Sequence, residues 1–277
     1  MNIQEMTDKI IGLSLAEDGE DITSNAIFSA GDRLSGTIMA KGTGIIAGLE
    51  VARMVFERVN PCIECVFYIK EGALVEPGVK IATVTGPSRD VLKAERVALN
   101  FMQRMSGIAT ITDRYVNEVK GTQAVILDTR KTSPGSRVLD KSAVRTGGAS
   151  NHRMGLFDTA LIKDNHIDNA GSVEKAVNKV RQAYPEIPII VEARTMDDVK
   201  KLIVLRVDRI MLDNFSIEDM KAAVNMVGSR IPLEASGGIN LKTVRKVALT
   251  GVDYISVGEI THSVRALDIS LIIEEAP

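Results

Sequence analysis

Tryptophan is absent from the 277 residues, and phenylalanine and tyrosine number only six and four. So little aromatic surface excludes the stacking platforms that grip single-stranded nucleic acids. Charge offers a polyanion nothing either. The 34 Lys and Arg against 36 Asp and Glu leave a formal net charge of -2, so an anion must be held by a local cluster. No apolar run approaches the roughly 18 residues of a membrane span. The first segment, MNIQEMTDKIIGLSLAEDGED, carries acids within its apolar stretch and no basic leader, which argues against a signal peptide. Only two cysteines occur, Cys62 and Cys65 in PCIEC. Without a second Cys or His pair, and with the strand-like CVFYIKEG following, they read as ordinary strand cysteines of a reducing cytoplasm. Nucleic acid and membrane are thereby set aside as partners.

What is present, 45% hydrophobic and 25% charged residues, is the composition of one or two cored domains. Residues 33–41, 44–48, 66–70 and 79–86 are short, β-branched and bounded by Gly or Pro, so the first third reads as strands joined by turns. EGALVEPGVKIATVTGP has the hairpin of a barrel-sandwich domain but lacks the exposed lysine of a biotin or lipoate carrier. From Arg89 to about Lys120, Val91, Leu92, Val97, Leu99, Met102 and Met105 recur at helical spacing, and Gly107 is expected to break this stretch into two helices at a domain join. Thereafter apolar runs at 124–127, 159–162, 187–191, 208–212, 231–235 and 252–257 alternate with amphipathic helices. That alternation implies a parallel sheet covered by helices, and at this repeat count a TIM-like barrel, closed or incomplete. No G-x-G-x-x-G follows any run, against a dinucleotide-binding sheet.

Barrel chemistry sits at the C-terminal ends of strands. The runs end in DTRKT (Arg130, Lys131), LIKDNH (Lys163, Asp164, His166), IIVEAR (Glu192, Arg194), IMLDN (Asp213, Asn214), LEASGGI (Glu234, Ser236, Gly237, Gly238) and SVGEITHS (Gly258, His262). The early ends, with Arg137, His152 and Arg153, are cationic, as suits a ligand with several carboxylates or phosphates. Glu192 and Asp213 could hold a water-rich Mg²⁺ or simply neutralise the cations opposite. Gly237 and Gly238 ahead of INLKTVRKVAL, and Gly258 ahead of Thr261–Ser263, fit phosphate binding at a helix start, with His262 beside it. Lys141 and Arg145, on VLDKSAVRTGG, read as an exposed helix face.

These stretches, together with ERVALNFMQRMSGIAT, AVRTGGASNHRMGLFDTALIKDNHI, GVDYISVGEITHS and ALDISL, resemble the quinolinate phosphoribosyltransferase family. The resemblance implies an N-terminal α/β sandwich over 1–106, joined by a C-terminal helix over 266–277, and an incomplete, seven-stranded α/β barrel over 107–265. It implies a cytoplasmic homodimer, or a higher oligomer such as a hexamer, in which the sandwich of one subunit covers the barrel mouth of the other. The reaction would convert quinolinate and 5-phosphoribosyl-1-pyrophosphate, with Mg²⁺, to nicotinate mononucleotide, pyrophosphate and CO₂, a step of NAD biosynthesis. Carried over by motif, quinolinate would meet Arg130, Lys131, His152, Arg153, Lys163 and a neighbouring subunit's Arg96. Glu192 and Asp213 would face the ribose and Mg²⁺, directly or through water, while Ser236, Gly237, Gly258 and His262 would take the phosphate side. Lys131, Glu192 and Asp213 would be catalytic.

The chain departs from the family pattern at Glu20, Ile190 and Glu259, positions where glycine, an acid and a small residue are usual. Two rival readings follow. One is a paralogue of the same fold acting on another acid, of the molybdenum-transport-associated or nicotinate-using kind. The other is a non-catalytic sensor of phosphorylated ligands, for which two acids in an anion pocket would gain little.

Overall fold

The computed structural model describes residues 3–273. In chain order they form helices α1 (Ile3–Asp18) and α2 (Ile22–Ile27), strands β1 (Arg33–Ala40) and β2 (Gly44–Ile45), α3 (Leu49–Val59), β3 (Glu64–Phe67), β4 (Leu74–Val75), β5 (Lys80–Pro87) and the long α4 (Ser88–Glu118). Then come β6 (Val125–Leu127), α5 (Arg137–Thr146), β7 (Ala160–Ile162), α6 (Asp164–Ala170), α7 (Val173–Ala183), β8 (Ile189–Ala193), α8 (Met196–Leu205) and β9 (Arg209–Asp213). The last described elements are α9 (Ile217–Val227), β10 (Leu233–Ser236), α10 (Val244–Ala248), β11 (Tyr254–Ser256), α11 (Glu259–His262) and β12 (Ile269–Ile273). Among the described residues two compact units result, one comprising 3–113, 132–148 and 261–273, the other comprising 114–131 and 149–260. Among the described residues no helix is long and apolar enough to cross a membrane.

The first unit is built on an antiparallel sheet in the order β12-β1-β5-β3, with a two-stranded β2-β4 ladder. Ile38, Ala40, Ile81, Ala82 and Val84 are buried, as are Leu49, Val51, Ala52, Val55 and Phe56 of α3, whose apolar spacing gives it one covered face. Cys65 lies in β3, where burial, then Glu57, pushes its thiol up to about 12; it and Cys62 are free thiols.

Three expectations fail in this unit. The C-terminal helix expected over 266–277 does not form among the described residues, where Ile269–Ile273 make strand β12, antiparallel to β1 with Ile38 opposite Leu271; residues 274–277 lie outside the described residues. Ile269, Ile272 and Ile273 prefer extended backbone, and the edge of β1 supplies the hydrogen-bond partners. Gly107 does not break its helix, because α4 runs unbroken from Ser88 to Glu118. The glycine serves close approach: a Cβ there would lie 2.4 Å from the carbonyl oxygen of Arg265. Lys141 is wholly buried, not exposed, whereas Arg145 does face out. The buried arc of α5 takes in Val138, Leu139, Ala143, Val144 and also Asp140, whose carboxylate accepts Arg104 Nε and Nη2 at 2.9 and 2.8 Å. The same carboxylate accepts the N–H of Ser133 at 3.1 Å and so anchors the TRKTSPGSR segment.

The second unit is a TIM-like α/β barrel. Its parallel sheet has the order β6-β11-β10-β9-β8-β7, and Leu127 bridges in parallel to Ser150 on the far side of β6. The expected seventh strand is thus a single bridged residue, with Ser150 and β7 at the two ends of the sheet. Ile189, Val191, Ile210, Leu212, Leu233, Ala235 and Ile255 are buried, and each large one contributes roughly 1.5–3 kcal/mol. The outer helices start where Ser172, Thr195 and Ser216 accept the N–H groups of Lys175, Asp198 and Asp219, caps worth about 1 kcal/mol each. The helix expected straight after Gly238 begins only at Val244.

Candidate active site

The strand ends of the second unit gather most of the residues singled out from sequence. Lys163 follows β7 and places Nζ 3.1 Å from Oε1 of Glu192, near the end of β8. The register pairs Asp213, last in β9, with Ser236, last in β10. Asn214 donates Nδ2 to Asp213 Oδ2 at 3.0 Å and its own N–H to Ser236 O at 2.9 Å. Gly237 is required here twice over, by a φ of +97° and because a Cβ would stand 2.1 Å from Asn214 Oδ1. Gly258 follows β11, and Glu259 beside it accepts the hydroxyl hydrogen of the wholly buried Tyr115.

The cationic side is organised by Asp128, a buried carboxylate just past β6. Its Oδ1 accepts the N–H of His152 at 2.7 Å and its Oδ2 accepts Asn151 Nδ2 at 2.6 Å. His152 Nδ1 in turn accepts the N–H of Arg153 at 2.7 Å, and Arg153 Nη1 donates to Thr159 O at 3.0 Å. Burial, and next the positive charge of Arg130, hold the Arg153 guanidinium below its usual range, against Asp158 and Glu192, which act the other way. Two guanidiniums crowded at one mouth are a place where an incoming carboxylate relieves repulsion while gaining paired hydrogen bonds. Arg130 and Lys131 are exposed.

Arg96 and His262 belong to the first unit. Arg96 is exposed on α4, 3.9 Å from Glu95, and His262 is exposed with Nδ1 2.7 Å from Ser263 Oγ. Sequence reasoning gave no role to Asp128, Tyr115 or Glu234. Glu234 was named at its strand end without a role, and Asp128 opens the DTRKT stretch, a signal that could have drawn attention to it. Among the described residues no group of three or more His, Cys, Asp or Glu is placed to hold a metal.

Comparison with known proteins decides the family. The family model described as "Quinolinate phosphoribosyl transferase, C-terminal domain" matches residues 108–272, and that of the N-terminal domain matches 21–106. The chain belongs to the quinolinate phosphoribosyltransferase family. Among its relatives is the chloroplastic nicotinate-nucleotide pyrophosphorylase [carboxylating] of Arabidopsis thaliana, 43% identical over 287 residues, covering 96% of this chain and 82% of the relative. The Mycobacterium leprae protein of the same function name is 44% identical, with 91% of each chain covered. Among solved structures, the nicotinate-nucleotide pyrophosphorylase from Francisella tularensis superposes with a TM-score of 0.93 at 37% identity, covering 98% of this chain and 96% of that one.

Proposed function

We propose that the protein transfers the phosphoribosyl group of 5-phosphoribosyl-1-pyrophosphate to the ring nitrogen of quinolinate and releases CO₂, giving nicotinate mononucleotide and pyrophosphate. The observation that carries this reading is the placing of Lys163 Nζ 3.1 Å from Glu192 at the strand ends where Asp128 also fixes the His152–Arg153 segment, a setting suited to a dicarboxylate beside a developing cation. Arg130, Lys131, Arg153 and Lys163 hold the two carboxylates, and His152 supports them. Ser236, Gly237, Gly258 and His262 take the 5-phosphate and its neighbours.

As the nitrogen attacks the ribose C1 and pyrophosphate leaves, Glu192 and Asp213 offset the oxocarbenium charge. Once quaternary, the nitrogen stabilises the carbanion left as the adjacent carboxylate departs as CO₂, and that carbon then takes a proton from water to form the C–H bond of the product, so decarboxylation asks the site for positioning rather than strong acid or base, with Lys131 holding the departing group in line. Glu192 and Asp213 also fit Mg²⁺. Two carboxylates, one of them already paired with a lysine, suit an ion that keeps most of its waters and is shared with ligand phosphates. Bound there, the ion would supply charge neutralisation for the leaving pyrophosphate.

The reading includes a cytoplasmic homodimer, or a larger assembly of dimers, in which Arg96 of one subunit completes the quinolinate pocket of the next. The test is product formation by purified protein with phosphoribosyl pyrophosphate and Mg²⁺, offering quinolinate and nicotinate in parallel. Nucleotide and CO₂ in equal amounts from quinolinate, and none from nicotinate, are the expected result; turnover of nicotinate alone, or tight ligand binding without turnover, overturns it. Mixing inactive Arg96→Ala and Arg130→Ala proteins tests the shared pocket, since mixed dimers then hold one intact site. No recovered activity after subunit exchange would remove Arg96 from the reading.

A further inference from the structure

Barrel interiors of this type are ordinarily filled by layers of branched apolar side chains. Here a charged column runs through one instead. Glu234, in the middle of β10, is 0% exposed. Its Oε1 accepts the Ser256 hydroxyl at 2.5 Å and faces His152 Nε2 at 3.3 Å, and its Oε2 accepts Arg209 Nη1 at 2.9 Å. The Arg209 guanidinium lies 3.9 Å over the ring of Tyr254. Desolvating such a pair is costly, and apolar residues of similar volume would fill the layer as stably, so stability alone does not account for the carboxylate.

The reacting groups lie at the strand ends, and the link from Glu234 to them is His152. Because Nδ1 accepts the Arg153 N–H, the ring proton of the neutral imidazole sits on Nε2, the edge that faces Glu234. The ring is therefore a strut with one end on the buried carboxylate and the other on the peptide of Arg153, while Asp128 holds the His152 backbone. We infer that Glu234 is a positioning residue for the reaction, acting through His152 to set the Arg153 peptide and so aim the guanidinium at a substrate carboxylate. The inference rests on the quinolinate reading of the site.

Its test compares Glu234→Gln, which keeps the volume and removes the charge, with Glu234→Gln/Arg209→Gln, which also removes the cation left behind. Melting curves report folding, and initial rates give KM for each substrate separately. The expected result is a KM for quinolinate raised on the order of tenfold in both variants, with that for phosphoribosyl pyrophosphate unchanged, and folding recovered in the double variant if the single one melts early. A double variant that regains wild-type quinolinate KM would reduce Glu234 to charge balance and overturn the inference, as would equal shifts in both KM values.

A second readout needs no substrate. With only three histidines in the chain, the ¹⁵N spectrum of the imidazoles is assignable, and the wild-type His152 is expected as the Nε2–H tautomer, changed in Glu234→Gln. Unchanged His152 signals would overturn the strut. If wild-type protein shows the expected tautomer but neither binds nor converts quinolinate, the failure belongs to the substrate reading, and the strut then stands without that ligand.

Discussion

Lys163 Nζ lies 3.1 Å from Glu192 Oε1, the lysine half-exposed and the carboxylate largely covered, so the protein holds its candidate cation-stabilising acid against a candidate substrate-binding base. On the proposed assignment, a dianionic ligand that draws Lys163 toward itself would free Glu192 to face the ribose. Glu192→Gln should then leave quinolinate binding intact while kcat falls about 10²–10³-fold, the scale of losing one preorganised electrostatic group. Lys163→Met should do the opposite in kind, raising the KM for quinolinate. Steady-state kinetics with each substrate varied separately checks both, and equal effects on the two variants would refute the division of labour.

The Tyr115–Glu259 pair makes sense of an acid next to Gly258. Burial, and next the hydrogen bond to Glu259, push the Tyr115 hydroxyl above the usual tyrosine range, so it stays a donor at any physiological pH. On the proposed assignment, that bond turns a negative charge away from the phosphate side. Tyr115→Phe should raise the KM for phosphoribosyl pyrophosphate several-fold, about 1–3 kcal/mol being the scale of an orphaned polar group. Adding Glu259→Gln should restore it. A Tyr115→Phe enzyme with unaltered KM would show that Glu259 does not bear on the phosphates.

Gly107→Ala sets helix propensity against packing. In an isolated helix the change gains about 1 kcal/mol. In α4 the new Cβ would meet the Arg265 carbonyl oxygen at 2.4 Å and Ala266 Cα at 3.1 Å, and overpacking against backbone costs about 1–3 kcal/mol. The expected net effect is a lower Tm and a lower denaturant midpoint with unchanged helix content. A rise in Tm would mean that the C-terminal segment gives way easily.

The same glycine shows where the sequence was legible and where it was not. The alternation of apolar runs with capped amphipathic helices marked β6 to β11 to within a residue or two, because parallel strands buried on both faces leave continuous apolar signals. The cations and acids at those strand ends stood out for the same reason. Gly107 read as a breaker because its cause is a neighbour distant in the chain, at Arg265. ALDISL read as helix because the edge of β1 that recruits Ile269–Ile273 is likewise remote. Lys141 read as solvent-facing because burial of charge depends on surroundings brought from elsewhere in the chain, as its buried neighbour Asp140 shows by pairing with Arg104. Glu234 was visible only as one of several polar residues at a strand end, since its contacts with His152 and Arg209 arise only when the barrel brings them together.

That buried acid also predicts a pH dependence of stability. Burial by itself pushes the Glu234 carboxyl up, but His152, Ser256 and Arg209 together pull it down further, leaving it below the usual carboxylate range. A carboxylate depressed by folding stabilises the native state fully above its unfolded value of about 4.3, and that contribution is lost as pH falls through the lower folded value. Wild-type protein should therefore shed stability on acidification faster than Glu234→Gln does, and the gap between their unfolding free energies should narrow from about pH 5 downward. Denaturant titrations of both proteins at a series of pH values measure the gap. A gap that stays constant across that range would mean that Glu234 does not hold its charge against acid in the folded protein, and the ionised carboxylate assumed for the His152 strut would have to be abandoned.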